Sequence, residues 1–279
     1  MIIRLTEPVP HDIDVYVELK DGDLKRGRKL RPRLAQGAFV AESRRVIERA
    51  LDAGCRPLSM FMEERWVEPE HHAIERIEAL DPNVPVYVAD HELFHKITGY
   101  EMTRGALAAF ERPVPKSIEE VLAGARRVAI LENVLNHTNM GSIFRSAAGL
   151  GFDAVLVTPS SHDPLFRRAV RVSMGTVFQI PWTYIGEGRE WASAGIPLLH
   201  EHGFKVAAMA LSDDSISLDD PELAATERLA LVLGNENDGL AQETIDACDY
   251  TVRIPMRHGV DSLNVSMAAG IAFWELRSR

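Results

Sequence analysis

The chain has 279 residues, 46% of them hydrophobic and 26% charged, with a formal net charge of −10. That is the composition of one large or two ordinary globular domains, without a low-complexity or repeat architecture. The acidic balance argues against a general polyanion binder, although a local basic patch still permits nucleic-acid binding.

Two cysteines, Cys55 and Cys248, cannot build a disulfide framework or a metal knuckle by themselves. Reduced thiols and a cytoplasmic location are expected. The start, Met1 to Pro8, lacks the apolar stretch of a signal peptide. No apolar run approaches the roughly 18 residues of a membrane span.

Residues 20–33 concentrate basic side chains, with Lys25, Arg26, Arg28, Lys29, Arg31 and Arg33 close together. They form a candidate phosphate-contacting segment; the alternative is a solvated loop. Val46, Ile47, Ala50 and Leu51 fall at helical spacing, and Gly54 closes that helix. Residues 57–62 and 84–89 read as strands, with helices over 69–80 and 92–97. This alternation predicts a small α/β domain. Glu111 to Lys116 holds two prolines around one residue and reads as a linker.

A second unit follows. Residues 126–131, 153–158, 204–209, 229–233 and 250–254 are short apolar strands separated by helical segments. Such runs are expected of a parallel sheet covered on both faces. The last helix is expected over 263–276. Trp182, Trp191 and Trp274 are expected to pack, and His71 and His72 to lie on an exposed helix. The predicted division is a domain at 1–112, a linker at 113–122 and a second domain at 123–279.

Three strand-to-loop junctions in the second unit are rich in polar and small residues. The first is Ile130-Leu-Glu-Asn-Val-Leu-Asn-His-Thr-Asn-Met-Gly141, running into a helix that carries Arg145. As a structural residue, Asn139 would be a helix N-cap. Arg145 is less easily explained, because Ile143, Phe144, Ala147 and Ala148 leave little polar face there. The second junction is Leu231-Val-Leu-Gly-Asn-Glu-Asn-Asp-Gly239. It is neither a Walker A loop nor a dinucleotide fingerprint. Glu236 and Asp238 could touch a metal, but no further ligands accompany them, so no metal is expected. The third runs from Ile254 to Ala268 and interleaves Ser262, Asn264 and Ser266 with Leu263 and Val265. Parallel sheets place ligands at their carboxyl edge, so the three junctions predict one composite site.

Together the junctions resemble the SpoU (TrmH) family of RNA ribose methyltransferases, within the SPOUT superfamily. The pattern Asn-x-Gly-x-x-x-Arg falls on Asn139, Gly141 and Arg145. Gly-x-Glu-x-x-Gly-Leu falls on Gly234, Glu236, Gly239 and Leu240. Ile254, Pro255 and Met256, then Ser262 to Ser266, carry the third pattern. Arg171 to Thr176 is similar to the family's segment between the first two blocks. Phe39 to Glu42 and the helix after it resemble a ribosomal-protein-like RNA-binding domain. The family usually has Glu-Gly where this chain has Glu42-Ser43.

The resemblance implies an α/β chain: a C-terminal parallel-sheet domain with a deep trefoil knot, preceded by a smaller α/β RNA-binding domain. It implies S-adenosylmethionine as cofactor, with Leu211, Gly234, Asn235, Glu236, Gly239, Ile254, Pro255, Met256 and Leu263 around it. Asn139, Arg145, Glu236, Ser262 and Asn264 would be the catalytic set, with Arg145 also gripping RNA. Asp213 and Asp214 would cap a loop at the cofactor edge. A homodimer is implied. The expected reaction is methylation of a ribose 2′-hydroxyl, in ribosomal RNA first, of the large subunit, and transfer RNA second. DNA lacks that hydroxyl and is excluded as substrate. The competing class is a non-catalytic RNA-binding or assembly factor, which would bind no cofactor.

Overall fold

The computed structural model describes residues 1–7, 13–17, 20–27, 34–99, 105–188, 191–212, 214–235 and 238–278. In chain order the first elements are β1 (Ile2–Arg4), α1 (Asp14–Val17), α2 (Asp21–Arg26), β2 (Ala38–Glu42), α3 (Arg44–Asp52), β3 (Pro57–Glu63), α4 (His71–Leu80), β4 (Val86–Ala89), α5 (His91–Thr98) and β5 (Leu107–Glu111). There follow α6 (Ile118–Leu122), β6 (Arg127–Leu131), α7 (His137–Leu150), β7 (Ala154–Val157), α8 (Arg167–Val172), β8 (Trp182–Tyr184) and α9 (Trp191–Glu201). The chain closes with β9 (Lys205–Met209), β10 (Ile216–Ser217), α10 (Pro221–Ala225), β11 (Leu229–Leu233), α11 (Gln242–Ala247), β12 (Tyr250–Arg253) and α12 (Val265–Leu276).

Two compact units result. One takes Met1–Val114 together with Leu165–Phe178; the other takes Pro115–Pro164 and Gln179–Arg279.

The first unit is a five-stranded mixed sheet in the order β1-β4-β3-β5-β2. β1, β4 and β3 are parallel, while β5 runs antiparallel between β3 and β2. The strands expected at 57–62 and 84–89 are β3 and β4. β5 is not expected from its own residues, because Leu107-Ala-Ala-Phe-Glu111 has weak strand propensity. Pairing on both sides makes it a strand. On α3 the buried side chains are Val46, Ile47, Ala50 and Leu51, as the spacing predicts.

Ser43, just before α3, sits at φ 81° and ψ 149°, a region that glycine occupies at no steric cost. It is held there because its carbonyl accepts from Val46 and Ile47 and its amide donates to Ala106. Strain of this kind costs about 1–3 kcal/mol, and glycine returns about 0.5–1 kcal/mol of chain entropy to the unfolded state. Ser43→Gly is therefore expected to stabilise the protein by about 1 kcal/mol. Calorimetry would check it; a lowered melting temperature would contradict it.

Residues 165–178 lie between the first two junctions in sequence yet belong to the first unit. Glu42 pairs with Arg167 at 3.4 Å and with Arg171 at 3.1 Å. Arg49 donates to the Met174 carbonyl at 2.7 Å, and the Phe178 ring packs on Phe39.

The second unit is a seven-stranded sheet in the order β10-β12-β9-β11-β6-β7-β8, parallel throughout. β6, β7 and β11 are buried along their whole length. That is why they read as unbroken apolar runs. The segment expected as linker contains α6, opened by a capping box in which Ser117 and Glu120 satisfy each other's backbone amides. β8 and β10 are not anticipated; they are short edge strands of three and two residues. Among the described residues no helix is long and apolar enough to cross a membrane.

Candidate active site

The site is assembled where β6, β9, β11 and β12 end. After β6 the chain turns through Asn133, in the left-handed region at φ 56°, and enters α7. The cap is Asn136, whose side chain accepts from the amides of Thr138 at 2.8 Å and Asn139 at 3.2 Å. This corrects the reading of Asn139 as the cap. The helix opens earlier, and Asn139 lies buried in its first turn.

Freed from capping, the Asn139 side-chain oxygen accepts from Asn264 Nδ2 at 3.2 Å. Asn264 does cap α12: its Oδ1 accepts from the Ser266 amide at 3.0 Å and the Ser266 hydroxyl at 2.7 Å. One asparagine thus starts a helix and ties the third junction to the first. A second tie joins the first and second junctions, since Asn235 Nδ2 donates to the Asn133 carbonyl at 3.1 Å.

The second junction folds back on itself. Asn235 and Gly239 exchange amide-to-carbonyl bonds of 3.1 and 3.0 Å. A Cβ on Gly234 would stand 2.7 Å from the Gly239 backbone, too close for any side chain. Gly234→Ala must push this loop open. We expect it to cost at least about tenfold in binding of any ligand held there, a loss of about 1.4 kcal/mol. Titration calorimetry would check it, and unchanged affinity would contradict it.

Beneath this loop lies Glu132, buried, with a carboxylate that accepts three bonds. Trp191 Nε1 donates at 2.6 Å, Thr244 Oγ1 at 2.7 Å and the Ala241 amide at 2.8 Å. It therefore fixes α9, α11 and the end of the Gly234–Leu240 loop to the end of β6. Glu132 belongs to none of the sequence patterns that mark the site. The available signal was an acidic residue directly after the apolar run of β6.

A cavity of about 420 Å³ opens at the ends of β9, β11 and β12, within the ~300–1,000 Å³ of small-molecule sites. Of the residues expected to hold a cofactor, Leu211, Gly234, Asn235, Gly239, Ile254, Met256 and Leu263 line it, and so does Ser262. Pro255 is exposed and is not among the lining residues. Glu236 lies outside the described residues, as does Asp213. The apolar walls Leu233, Leu240, Val252 and Val265 are all buried; Leu240 and Val265 belong to the sequence patterns, while Leu233 and Val252 come from the ends of β11 and β12.

Arg145 projects from α7 into solvent and makes no hydrogen bond or ion pair to the described residues. The expectation of little polar face at this position is thus corrected: its neighbours Phe144 and Ala147 turn inward and leave Arg145 outside. At the start of the same helix His137 stacks on His162, with ring centroids 4.1 Å apart. Burial, and then the neighbouring His137, push His162 below the usual histidine range.

In the first unit Lys25 and Arg26 are exposed on α2, where Arg26 pairs with Asp23 at 3.1 Å. Arg28, Lys29, Arg31 and Arg33 lie outside the described residues. Trp191 packs as expected, but Trp274 is 57% exposed, which corrects that expectation. It shares an exposed stripe of α12 with Met267 and Ile271.

A parallel sheet with glycine-closed loops and a ligand-sized cavity at its carboxyl edge defines a small-molecule-using α/β protein. The profile of the SpoU rRNA methylase family matches residues 126–274. A protein of Mycobacterium tuberculosis named an uncharacterized tRNA/rRNA methyltransferase is 39% identical over 248 residues, covering 88% of this chain and 83% of its own. The 23S rRNA (guanosine(2553)-2′-O)-methyltransferase RlmP of Bacillus subtilis is 25% identical over 255 residues, covering 91% and 94%. The AdoMet-bound rRNA methyltransferase from Sinorhizobium meliloti superposes with a TM-score of 0.77, covering 99% and 97% at 22% identity, and so shares the fold. This chain belongs to the SpoU rRNA methylase family, a family of RNA methyltransferases.

Proposed function

We propose that the protein methylates a ribose 2′-hydroxyl of 23S ribosomal RNA, using S-adenosylmethionine held in the cavity. The observation that carries this reading is the pair of asparagine ties, Asn235 to Asn133 and Asn264 to Asn139. They draw the three junctions together at the cavity, on the unit whose α7 presents Arg145. The name of the Bacillus subtilis relative supports the ribosomal substrate and the ribose position. Transfer RNA is the runner-up substrate.

The cofactor, when bound, supplies a methyl group already activated on a sulfonium. The residues must then align donor and acceptor, which is worth up to roughly 7–11 kcal/mol. Gly234, Asn235 and Gly239 offer backbone groups and Leu233, Val252 and Val265 an apolar wall. A guanidinium has a pKa above about 12 and rarely gives up its proton. Arg145 therefore grips the target phosphate in a fork and stabilises the charge developing on the hydroxyl oxygen. Asn139 and Asn264 position the first turns of α7 and α12. Ser262, at the cavity, and Glu236 complete the polar set.

The N-terminal domain, near residues 1–112, serves as the RNA-binding domain with the basic run 25–33. The catalytic domain, near 123–279, carries a trefoil knot. The exposed Met267, Ile271 and Trp274 of α12 supply the face of a homodimer. The protein works in the cytoplasm.

Transfer of tritium from labelled S-adenosylmethionine to unmodified ribosomal and transfer RNA tests the reading. Label in ribosomal RNA is expected. Label in transfer RNA alone would overturn the substrate, and no label with no cofactor binding would favour the assembly-factor class.

A further inference from the structure

Three ionisable side chains line the cavity, and the mechanism above uses none of them. Arg253 closes β12, Asp238 stands on the loop after β11, and Asp261 on the loop before α12. They are the only ionisable groups among the described lining residues. All three are exposed, while Leu233, Leu240, Val252 and Val265 form a buried apolar wall. None of the three side chains makes a hydrogen bond or ion pair to the described residues. The cavity therefore has an uncharged interior and a rim with one positive and two negative groups.

This pattern complements the methyl donor, given the reading of the cavity as its site. S-adenosylmethionine has an uncharged adenosine part and an amino-acid end with one carboxylate, one ammonium and one sulfonium. Its charges are two positive and one negative, the inverse of the rim. After methyl transfer the sulfonium is a neutral thioether, and S-adenosylhomocysteine keeps only the balanced zwitterion.

We propose that Arg253 binds the cofactor's carboxylate while Asp238 and Asp261 face its cationic groups, so that the rim prefers the charged donor to its demethylated product. The rim thereby acts as a specificity device. Donor binding is favoured by one extra attraction, and that attraction vanishes with the reaction, which loosens the product. Attractions at an exposed rim are modest and are screened by salt.

The test is titration calorimetry of the full-length protein with S-adenosylmethionine and S-adenosylhomocysteine, beside D238N/D261N and R253Q. Circular dichroism would verify that each exposed substitution leaves the fold intact. The wild-type protein is expected to bind the donor more tightly than the product. D238N/D261N should lower the donor-to-product affinity ratio about fivefold, and R253Q should weaken both ligands about fivefold with the ratio kept. A wild-type protein that binds the donor, with a ratio unchanged in D238N/D261N, would overturn the charge-reading rim alone. A wild-type protein that binds neither ligand would overturn the methyl-donor reading and this inference with it.

Discussion

Arg145→Ala is expected to slow methyl transfer to RNA by about 10²–10³-fold, the usual loss when one preorganised donor to developing charge is removed. The melting temperature should stay within about one degree, because Arg145 is exposed and bonded to none of the described residues. The combination matters: lost turnover without lost stability separates a working group from a structural one. Arg145→Lys should recover little of the rate, since an ammonium keeps the charge but not the two-pronged geometry. Near-normal turnover of the lysine variant would refute the bidentate grip. The pair is read by initial rates on saturating RNA, with calorimetric melts alongside.

Arg127→Ala should have the largest effect on stability. Arg127 opens β6 and is 3% exposed. Its guanidinium donates to the carbonyls of Leu276 at 2.6 Å, Glu227 at 3.0 Å and Arg126 at 3.1 Å. Burial lowers its pKa, and Arg126 adds to that, but a guanidinium is not deprotonated in proteins and stays charged. The Leu276 carbonyl belongs to the last turn of α12, where the helix dipole favours a cation. Truncation strands these acceptors and leaves a void. The cost is expected to be about 3–5 kcal/mol, seen as a melting temperature lower by roughly 10 °C. A shift under about two degrees would mean that water replaces the guanidinium without penalty. Because Arg127 holds the far end of the helix that Asn264 begins, weaker cofactor binding should follow the lost stability.

The elements with a local signature were legible in the sequence. β6, β7 and β11 are unbroken apolar runs because both faces are covered. The face of α3 is spelled out at helical spacing. What failed depended on partners distant in sequence. β5 is alanine-rich and is made a strand by β2 and β3. Residues 165–178 join the first unit through Glu42, more than a hundred residues upstream. At the site, the three junctions were visible as polar residues where apolar ones would do. The local assignment among asparagines was not: Asn136, Asn139 and Asn264 are alike in type. Only the folded chain makes the first and last helix caps and leaves the middle one free to bond across. Glu132 was missed for a similar reason, since its three donors come from α9, α11 and the loop between β11 and α11.

The central claim is that the methyl group arrives on a ribose. The most direct measurement is nucleoside mass spectrometry of unmodified 23S ribosomal RNA after incubation with the protein and S-adenosylmethionine, paired with alkaline hydrolysis. A 2′-O-methylnucleoside, found in a dinucleotide that resists alkali, is the predicted result. A base-methylated nucleoside with ordinary alkali sensitivity would contradict the account.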